Sequence, residues 1–235
     1  MNYGDSLRAR LRADRVLPKV RNEARRLVGP VAARRTPMRG QTFDAWPGSR
    51  LPYFVHRHNS TWLNERAVEL PLVIDFLRRH GTGKGMEFGN VLMHYGIDGP
   101  PEIVDKYERN PRVVNVDILD YAPKPPLDYI VSISTLEHVG WDERPKEPAK
   151  VLRAFEHLQS LLVPGGRMLL TAPLGHNDFL DEAVMGGQLA VDRQMTLVRA
   201  DRHSWHPTEE LCWGPYPGRT GLGADSVWVA EIVAG

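Results

Sequence analysis

The segment from Gly85 to Asp105 reads GMEFGNVLMHYGIDGPPEIVD and holds two short apolar runs, each with an acidic residue at or near its end. The first run, Gly85–Phe88, leads into a glycine turn, and the second, Glu102–Val104, leads directly into Asp105. Short apolar runs bounded by glycine and proline are typical of buried strands. The segment therefore predicts two strands of one sheet, each followed by a polar loop.

Strand-like runs continue along the chain and alternate with helix-like segments. One helix is predicted from about Pro148 to Leu162, and another from Ser60 or Thr61 through about His80. This alternation predicts an α/β fold with an open, mostly parallel sheet that helices cover on both faces. Further strands are expected at Val113–Val116, Tyr129–Ile133, Arg167–Ala172, Gln194–Val198 and Ser226–Val233.

Composition excludes several classes of protein. Of the 235 residues, 42% are hydrophobic and 25% are charged, which excludes collagen-like, coiled-coil and wholly disordered chains. No apolar run is long enough to span a bilayer. Cys212 is the single cysteine, so an internal disulfide and a multi-cysteine metal site are excluded. The first residues lack the pattern of a secretory signal, and a cytoplasmic location is expected.

Charge is distributed unevenly along the chain. Residues 1–40 carry 11 Lys and Arg against three acidic residues, whereas residues 41–235 have a net charge of −7. We therefore divide the chain into a basic N-terminal helical arm with its linker, residues 1–40, and a folded domain, residues 41–235. The arm could pack on its own acidic domain, join two copies in a homodimer, or contact an anionic membrane. Nucleic acid is a less favoured partner.

Acidic residues recur where successive strands should end. Glu87, Asp105 and Asp117 each lie at or just after a predicted strand, and Asp128 opens the next one. A single acid beside a strand is usually a solvated turn residue, so the ordered set carries the argument. In open α/β sheets, ligands bind beyond the carboxyl ends of the strands. The set predicts a ligand site at that edge.

The residues around Gly89 restrict which ligand could bind there. A dinucleotide site needs a glycine-rich loop that lets the backbone approach a diphosphate, but here Asn90-Val91-Leu92 follows Gly89. The carboxylate of Glu87 would also repel a diphosphate. S-adenosylmethionine suits the loop better, because it carries a sulfonium, an ammonium and a ribose diol. An acid after the second strand can accept both ribose hydroxyls, and an acid after the third can accept the adenine amino group.

These motifs resemble those of the class I S-adenosylmethionine-dependent methyltransferases over about residues 60–235. Glu87-Phe88-Gly89-Asn90 is similar to their first motif, with Val91 in place of a second glycine. The run from Asp128 to Glu137-His138 resembles the motif of the fourth strand, and residues 162–166 resemble the Leu-x-Pro-Gly-Gly turn before the fifth. The resemblance implies a Rossmann-like methyltransferase sheet of seven strands, whose last strand, Ser226–Val233, is antiparallel.

The resemblance also implies roles for individual residues. Asp105 matches the acid that binds ribose, and Asp117-Ile118 matches the pair that contacts adenine. Arg66 could pair with the methionine carboxylate of the cofactor. The residues predicted to bind S-adenosylmethionine are Glu87, Gly89, Asn90, Asp105, Asp117, Ile118, Ser134 and Arg66.

Methyl transfer to a hydroxyl also needs a group that removes the proton, and histidine is the natural base near neutral pH. Of nine histidines, His138 follows the fourth strand, beside the expected methyl position, and His176 follows the fifth. A structural role for either one is the alternative. Glu137-His138 also resembles a carboxylate–imidazole pair that binds a divalent ion in some quinone-pathway O-methyltransferases. Glu137 and His138 could therefore hold Mg²⁺, which would polarise the acceptor hydroxyl.

The sequence favours O-methylation of a small molecule or of a sugar or glycan hydroxyl, with His138, Glu137 and His176 as catalytic candidates. Base-modifying amino methyltransferases carry Asn/Asp-Pro-Pro-aromatic after the fourth strand, whereas this chain has Ser134-Thr135-Leu136-Glu137. That difference argues against an RNA methyltransferase that uses the basic arm. The other alternative is a non-catalytic scaffold that only binds S-adenosylmethionine.

Overall fold

The computed structural model describes residues 33–212, 214–218 and 220–235. The helix predicted in the basic arm falls on residues 1–32, outside the described residues. Within the described part, no helix has the length and apolar character needed to cross a membrane. Met38, which the sequence assigns to the arm, is buried in the core of the domain.

The centre of the fold, among the described residues, is a sheet of seven strands: β3 (Gly85–Phe88), β4 (Glu102–Val104), β5 (Leu127–Ile133), β6 (Leu162–Pro173), β7 (Arg193–Arg199), β8 (Trp205–Thr208) and β9 (Ser226–Val233). Four neighbouring strands run parallel, in the order β4-β3-β5-β6. Next to them, β9 is antiparallel to both β6 and β7, and β8 closes the far edge antiparallel to β7. This confirms the predicted sheet and its antiparallel last strand.

Alternating side chains of the central strands face two separate cores. In β5, Ile130 faces one core, whereas Val131 faces the other. On the first face, helix α2 (Lys150–Ser160) buries Phe155 and its apolar neighbours. On the opposite face, helix α1 (Arg66–His80) packs through residues that include Phe76. Helices therefore cover both faces, as the alternation of the sequence predicts.

Two predicted elements differ from the structure. Val113–Val116 forms only one isolated bridge, between Val104 and Val114, so the seventh strand is β8 at the other edge. The side chain of Asn115 there bonds backbone carbonyls of the preceding loop, which competes with a regular ladder. Helix α1 begins at Arg66 rather than near Thr61, because Thr61 lies in a short 3₁₀ helix, His58–Leu63, that ends at the extended backbone of Asn64 (φ −140°, ψ −178°).

Other elements were not predicted. The predicted domain begins with a hairpin of β1 (Thr42–Asp44) and β2 (Arg50–Pro52), in which Phe43 and Trp46 are buried. Helix α3 (Asp178–Met185) follows β6, and the Asn177 side chain accepts the amides of its first turn. Asn177 also donates to the backbone carbonyl of Glu137 at 2.8 Å, which joins the loops after β5 and β6.

The loop after β5 depends on Gly140, whose φ is +69°, and a Cβ there would overlap the carbonyl oxygen of Glu147. Gly96 has a similar φ of +66° but open space around it. Alanine at either position would have to adopt left-handed backbone, which lowers the free energy of unfolding by about 1–2 kcal/mol in both variants. We expect Gly140→Ala to lower the free energy of unfolding by about 1–3 kcal/mol more than Gly96→Ala, measured by urea denaturation. Equal losses would mean that the loop moves freely.

Candidate active site

A cavity of about 440 Å³ lies beyond the carboxyl ends of β3, β4 and β5, where the sequence places the ligand. Its volume falls in the range of small-molecule sites, about 300–1,000 Å³. The predicted site residues that line it are Asn90, Asp105, Asp117, Ile118, Ser134 and His138. The structure thus brings together six residues that are up to 48 positions apart in the chain.

The walls of the cavity are predominantly acidic. Among the described residues, four carboxylates line it, against the single ammonium of Lys106. A cleft lined mainly by one sign of charge attracts ligands of the opposite sign. The cavity is therefore suited to a positively charged ligand. The four carboxylates are those of Asp105, Glu108, Asp117 and Glu143.

Asp105 organises the loop after β4. Its Oδ1 accepts the backbone amides of Tyr107 and Glu108, both at 2.7 Å. Glu108 in turn accepts the side-chain amide of Asn90 at 2.9 Å, which connects this loop to the one after β3. The Oδ1 atom of Asn90 is buried and has no partner among the described residues. These contacts fix two walls of the cavity and leave polar atoms available for a ligand.

Asp117 belongs to a network of four charges. Its Oδ2 accepts from Lys106 at 2.8 Å and from Lys150, and its Oδ1 accepts the amide of Leu119 at 3.2 Å. Glu143 binds the same two lysines. Burial tends to raise the pKa of Asp117, but the lysine hydrogen bonds prevail and lower it to about 2. Asp117 is therefore ionised, and an adenine amino group would have to share its oxygens.

Glu87 and Gly89 shape the site from behind and do not line the cavity. The buried Glu87 carboxylate accepts the amides of Val91 and Leu92 through Oε1, at 2.7 and 2.9 Å. These bonds fix the loop after β3, in which Val91 occupies the position of the second glycine of the methyltransferase motif. Gly89 has a φ of +89°, and a Cβ there would overlap the hydroxyl of Thr135. The glycine therefore allows the loops after β3 and β5 to meet.

Arg66 lies in a buried polar network and does not line the cavity. Its guanidinium bonds the carboxylate of Glu69 and the Oγ of Ser134, the latter at 2.6 Å. Burial alone would lower the pKa of Arg66, but the carboxylates of Glu69 and Glu65 outweigh it and raise this pKa. In this arrangement Arg66 neutralises buried acids, and its pairing with the methionine carboxylate stays a prediction.

The two candidate histidines meet at the edge of the site. The ring centroids of His138 and His176 are 4.7 Å apart, in an edge-to-face arrangement. Nδ1 of His138 lies 2.5 Å from Oδ2 of Asp142, and Nε2 of His176 lies 3.4 Å from the same oxygen. Burial and the nearby His138 lower the pKa of His176. Burial would raise the pKa of Asp142, but His138 lowers it.

Glu137 is oriented differently from His138. Its side chain is 1% exposed, against 49% for His138, and their closest N···O distance is 3.5 Å. Burial, with Glu69 and Glu65 nearby, raises the pKa of Glu137 well above its usual value. Among the described residues, no group of three possible metal ligands includes Glu137, so the Mg²⁺ pair predicted from the sequence stays a prediction.

Several residues of the site were not predicted from the sequence. Glu108 and Lys106 are close to Asp105 in the chain, and their position after a strand could have signalled them. Asp142 is four residues after His138, and an acid this close to a candidate base could have been predicted to pair with it. Lys150 and Glu143 carry no signal in the sequence, because Lys150 meets Asp117 and Glu143 only through the packing of helix α2 and the loop before it.

Comparison with known proteins finds similar folds but no matching family. No protein-family model matches the chain, and no curated protein matches it. The N-methyltransferase NodS from Bradyrhizobium japonicum WM9, solved with S-adenosyl-L-homocysteine, is similar with a TM-score of 0.43 and 14% identity, covering 75% of this chain and 92% of that one. An rRNA methylase from Streptococcus thermophilus has a TM-score of 0.41 and 13% identity, covering 70% and 96%.

The sheet itself defines the class of fold. It has seven strands, and the last in the chain, β9, runs antiparallel between β6 and β7. A mostly parallel sheet with an antiparallel last strand is what the resemblance to class I methyltransferases implies. The chain has the class I S-adenosylmethionine-dependent methyltransferase fold.

The buried Glu87 makes stability depend on pH. Burial outweighs its two amide bonds and raises its pKa to about 7, from 4.5. Between these values the folded chain keeps a proton that the unfolded chain has released, so stability falls as pH rises from about 4.5 to 7. The full loss is on the order of 3 kcal/mol. Glu87→Gln keeps the amide acceptor without the charge, so its stability relative to the unsubstituted chain should increase over that interval.

Urea unfolding of both chains between pH 4.5 and 8 measures this difference, because other titrating groups contribute equally to the two. Glu156→Gln, at an exposed position on α2, is the control for losing a surface carboxylate. A difference between Glu87→Gln and the unsubstituted chain that stays constant with pH would show that Glu87 remains ionised in the folded state.

Proposed function

We propose that this protein is an S-adenosylmethionine-dependent methyltransferase that methylates a hydroxyl of a small molecule or sugar. The observation that carries the proposal is the acidic cavity at the strand ends with the His138–Asp142 pair at its edge. The cavity supplies a place for a cationic methyl donor, and the pair supplies a group that can take a proton. Both lie on the loops after neighbouring parallel strands.

The residues of the cavity fit S-adenosylmethionine, which when bound supplies an electrophilic methyl group on a sulfonium. The carboxylates of Asp105 and Glu108 suit hydroxyl and ammonium donors, because ionised acceptors make the stronger hydrogen bonds. The unpartnered Oδ1 of Asn90 can accept one more donor. Orientation of the two reactants in such a cavity can contribute about 7–11 kcal/mol to lowering the barrier.

Asp105→Asn tests the cofactor site, because it keeps an oxygen for the Tyr107 and Glu108 amides and removes the charge. A hydrogen bond to a charged group contributes about 1.5–3 kcal/mol, so S-adenosylhomocysteine affinity should fall about tenfold or more. Isothermal titration calorimetry measures it. Asp120→Asn, at an exposed aspartate outside the cavity lining, should leave the affinity unchanged. Equal affinities in the two variants would place the ribose elsewhere.

His138 is the group we assign to proton removal. The Asp142 carboxylate lies 2.5 Å from Nδ1 of His138 and accepts from it, so Nε2, 3.5 Å from Oε1 of Glu137, is the nitrogen that would take a proton. An acceptor hydroxyl bound beside His138 would pass its proton to Nε2. Asp142 positions the ring and stabilises the charge that develops on it, while Glu137 lies buried behind.

Turnover can be followed as S-adenosylhomocysteine formed with a panel of phenols, sugars and amines. His138→Ala should lower turnover about 10²-fold or more with little change in S-adenosylhomocysteine affinity. Asp142→Asn should lower it in the same direction, and the double variant should lose no more than His138→Ala, because Asp142 acts through the ring. His80→Ala, on the far end of α1, is the control.

Three outcomes would redirect the assignment. Turnover that survives His138→Ala but not His176→Ala moves the base to the loop after β6. Methylation of amines alone replaces the hydroxyl acceptor, and cofactor binding with no turnover on any acceptor favours the non-catalytic scaffold. Contact of the basic arm with an anionic membrane, a homodimer or RNA stays a prediction, since the arm lies mainly outside the described residues.

A further inference from the structure

We propose that His138, Asp142 and His176 form a binding site for one divalent transition-metal ion of the Zn²⁺ or Co²⁺ type. The site differs from the Glu137–His138 pair that the sequence suggests for Mg²⁺, because it leaves Glu137 out and joins two different loops. It rests on side-chain geometry, and testing it requires neither the cofactor nor methyl transfer.

The three side chains already lie close enough to share an ion. Their ligand atoms all lie within 4.8 Å of one another. Nε2 of His176 is 3.4 Å from Oδ2 of Asp142, and Nδ1 of His138 is 2.5 Å from that oxygen. A tetrahedral Zn²⁺ with bonds of about 2.0–2.2 Å holds its ligand atoms about 3.3–3.5 Å apart. Binding would therefore require the His138–Asp142 contact to open by about 1 Å.

The loops that carry these residues are fixed to one another. Asn177, fully buried beside His176, donates to the carbonyl of Glu137 next to His138. Tyr216 packs edge-to-face on the ring of His176, with centroids 4.9 Å apart. The two histidines therefore need not be brought together when an ion binds, which reduces the entropy cost of binding.

The donor set indicates the kind of ion. Two imidazoles and one carboxylate suit Zn²⁺, Co²⁺ and related ions, whereas Mg²⁺ prefers oxygen ligands alone. Three protein ligands also leave a coordination position open, as in catalytic zinc sites. Since His138 lines the cavity, that position could take water or an acceptor hydroxyl. An ion bound to Nδ1 would replace the proton shared with Asp142, so His138 would not then act as the base.

Metal binding to the full, untagged, chelator-treated chain tests the proposal without cofactor or acceptor. We expect Co²⁺ to give a visible absorption band that saturates at one ion per chain, and Zn²⁺ to displace it. Asp142→Asn and His176→Ala should each weaken binding at least about tenfold, as loss of a ligand requires. His138→Ala combined with His176→Ala should abolish it.

His94→Ala is the matched control, because His94 pairs with only one carboxylate, Glu108, at 3.1 Å. It should bind Co²⁺ as the unsubstituted chain does. The proposal is overturned if no one-to-one binding occurs, or if Asp142→Asn and His176→Ala bind as tightly as the control. Far-UV circular dichroism of each variant shows that a loss of binding does not reflect unfolding. Turnover is not measured, so the result stands whether or not the proposed methylation is correct.

Discussion

The arrangement of the site depends on the hydrogen bonds and the ion pair of the buried Glu69 carboxylate. It is fully buried, and it accepts from Ser134 at the end of β5, from Thr171 in β6, and from Arg66 on its own helix. An ionised carboxylate removed from water costs several kcal/mol unless charge and hydrogen bonds compensate it. The network therefore fixes α1 against the ends of two central strands, where the cavity begins.

A second set of charges joins the other side of the cavity. Lys150 extends from α2 to Asp117, while Lys106 and Glu143 complete a group of alternating sign. The group connects the loop after β4, the turn that follows the isolated bridge, and the loop after β5. Since a buried charge with one partner removed is destabilising, these loops are constrained together. The cavity is thus held by charge pairs on both sides, while its net charge remains negative.

The sequence predicted the parts of the fold that follow local rules. Gly85–Phe88, Glu102–Val104 and Ser226–Val233 begin and end where the apolar pattern does. Because parallel strands share one edge for their carboxyl ends, the acids that follow them could be placed in one site from order alone. The strand predicted at Val113–Val116 does not form. Val114 is exposed to solvent and makes only an isolated bridge, and an apolar pattern does not show whether a neighbouring strand will pair with it.

The contacts that the sequence could not supply are the long-range ones. Lys150 belongs to an amphipathic helix, and nothing in the sequence marks its contact with Asp117, which lies 33 positions earlier in the chain. Glu137 shows the converse limit. It adjoins His138 in the chain, yet one side chain is 1% exposed and the other 49%, since neighbouring residues of a short turn point in different directions. A motif that treats the two as one pair therefore overlooks the partner that His138 actually has, which is a carboxylate one further turn along the chain.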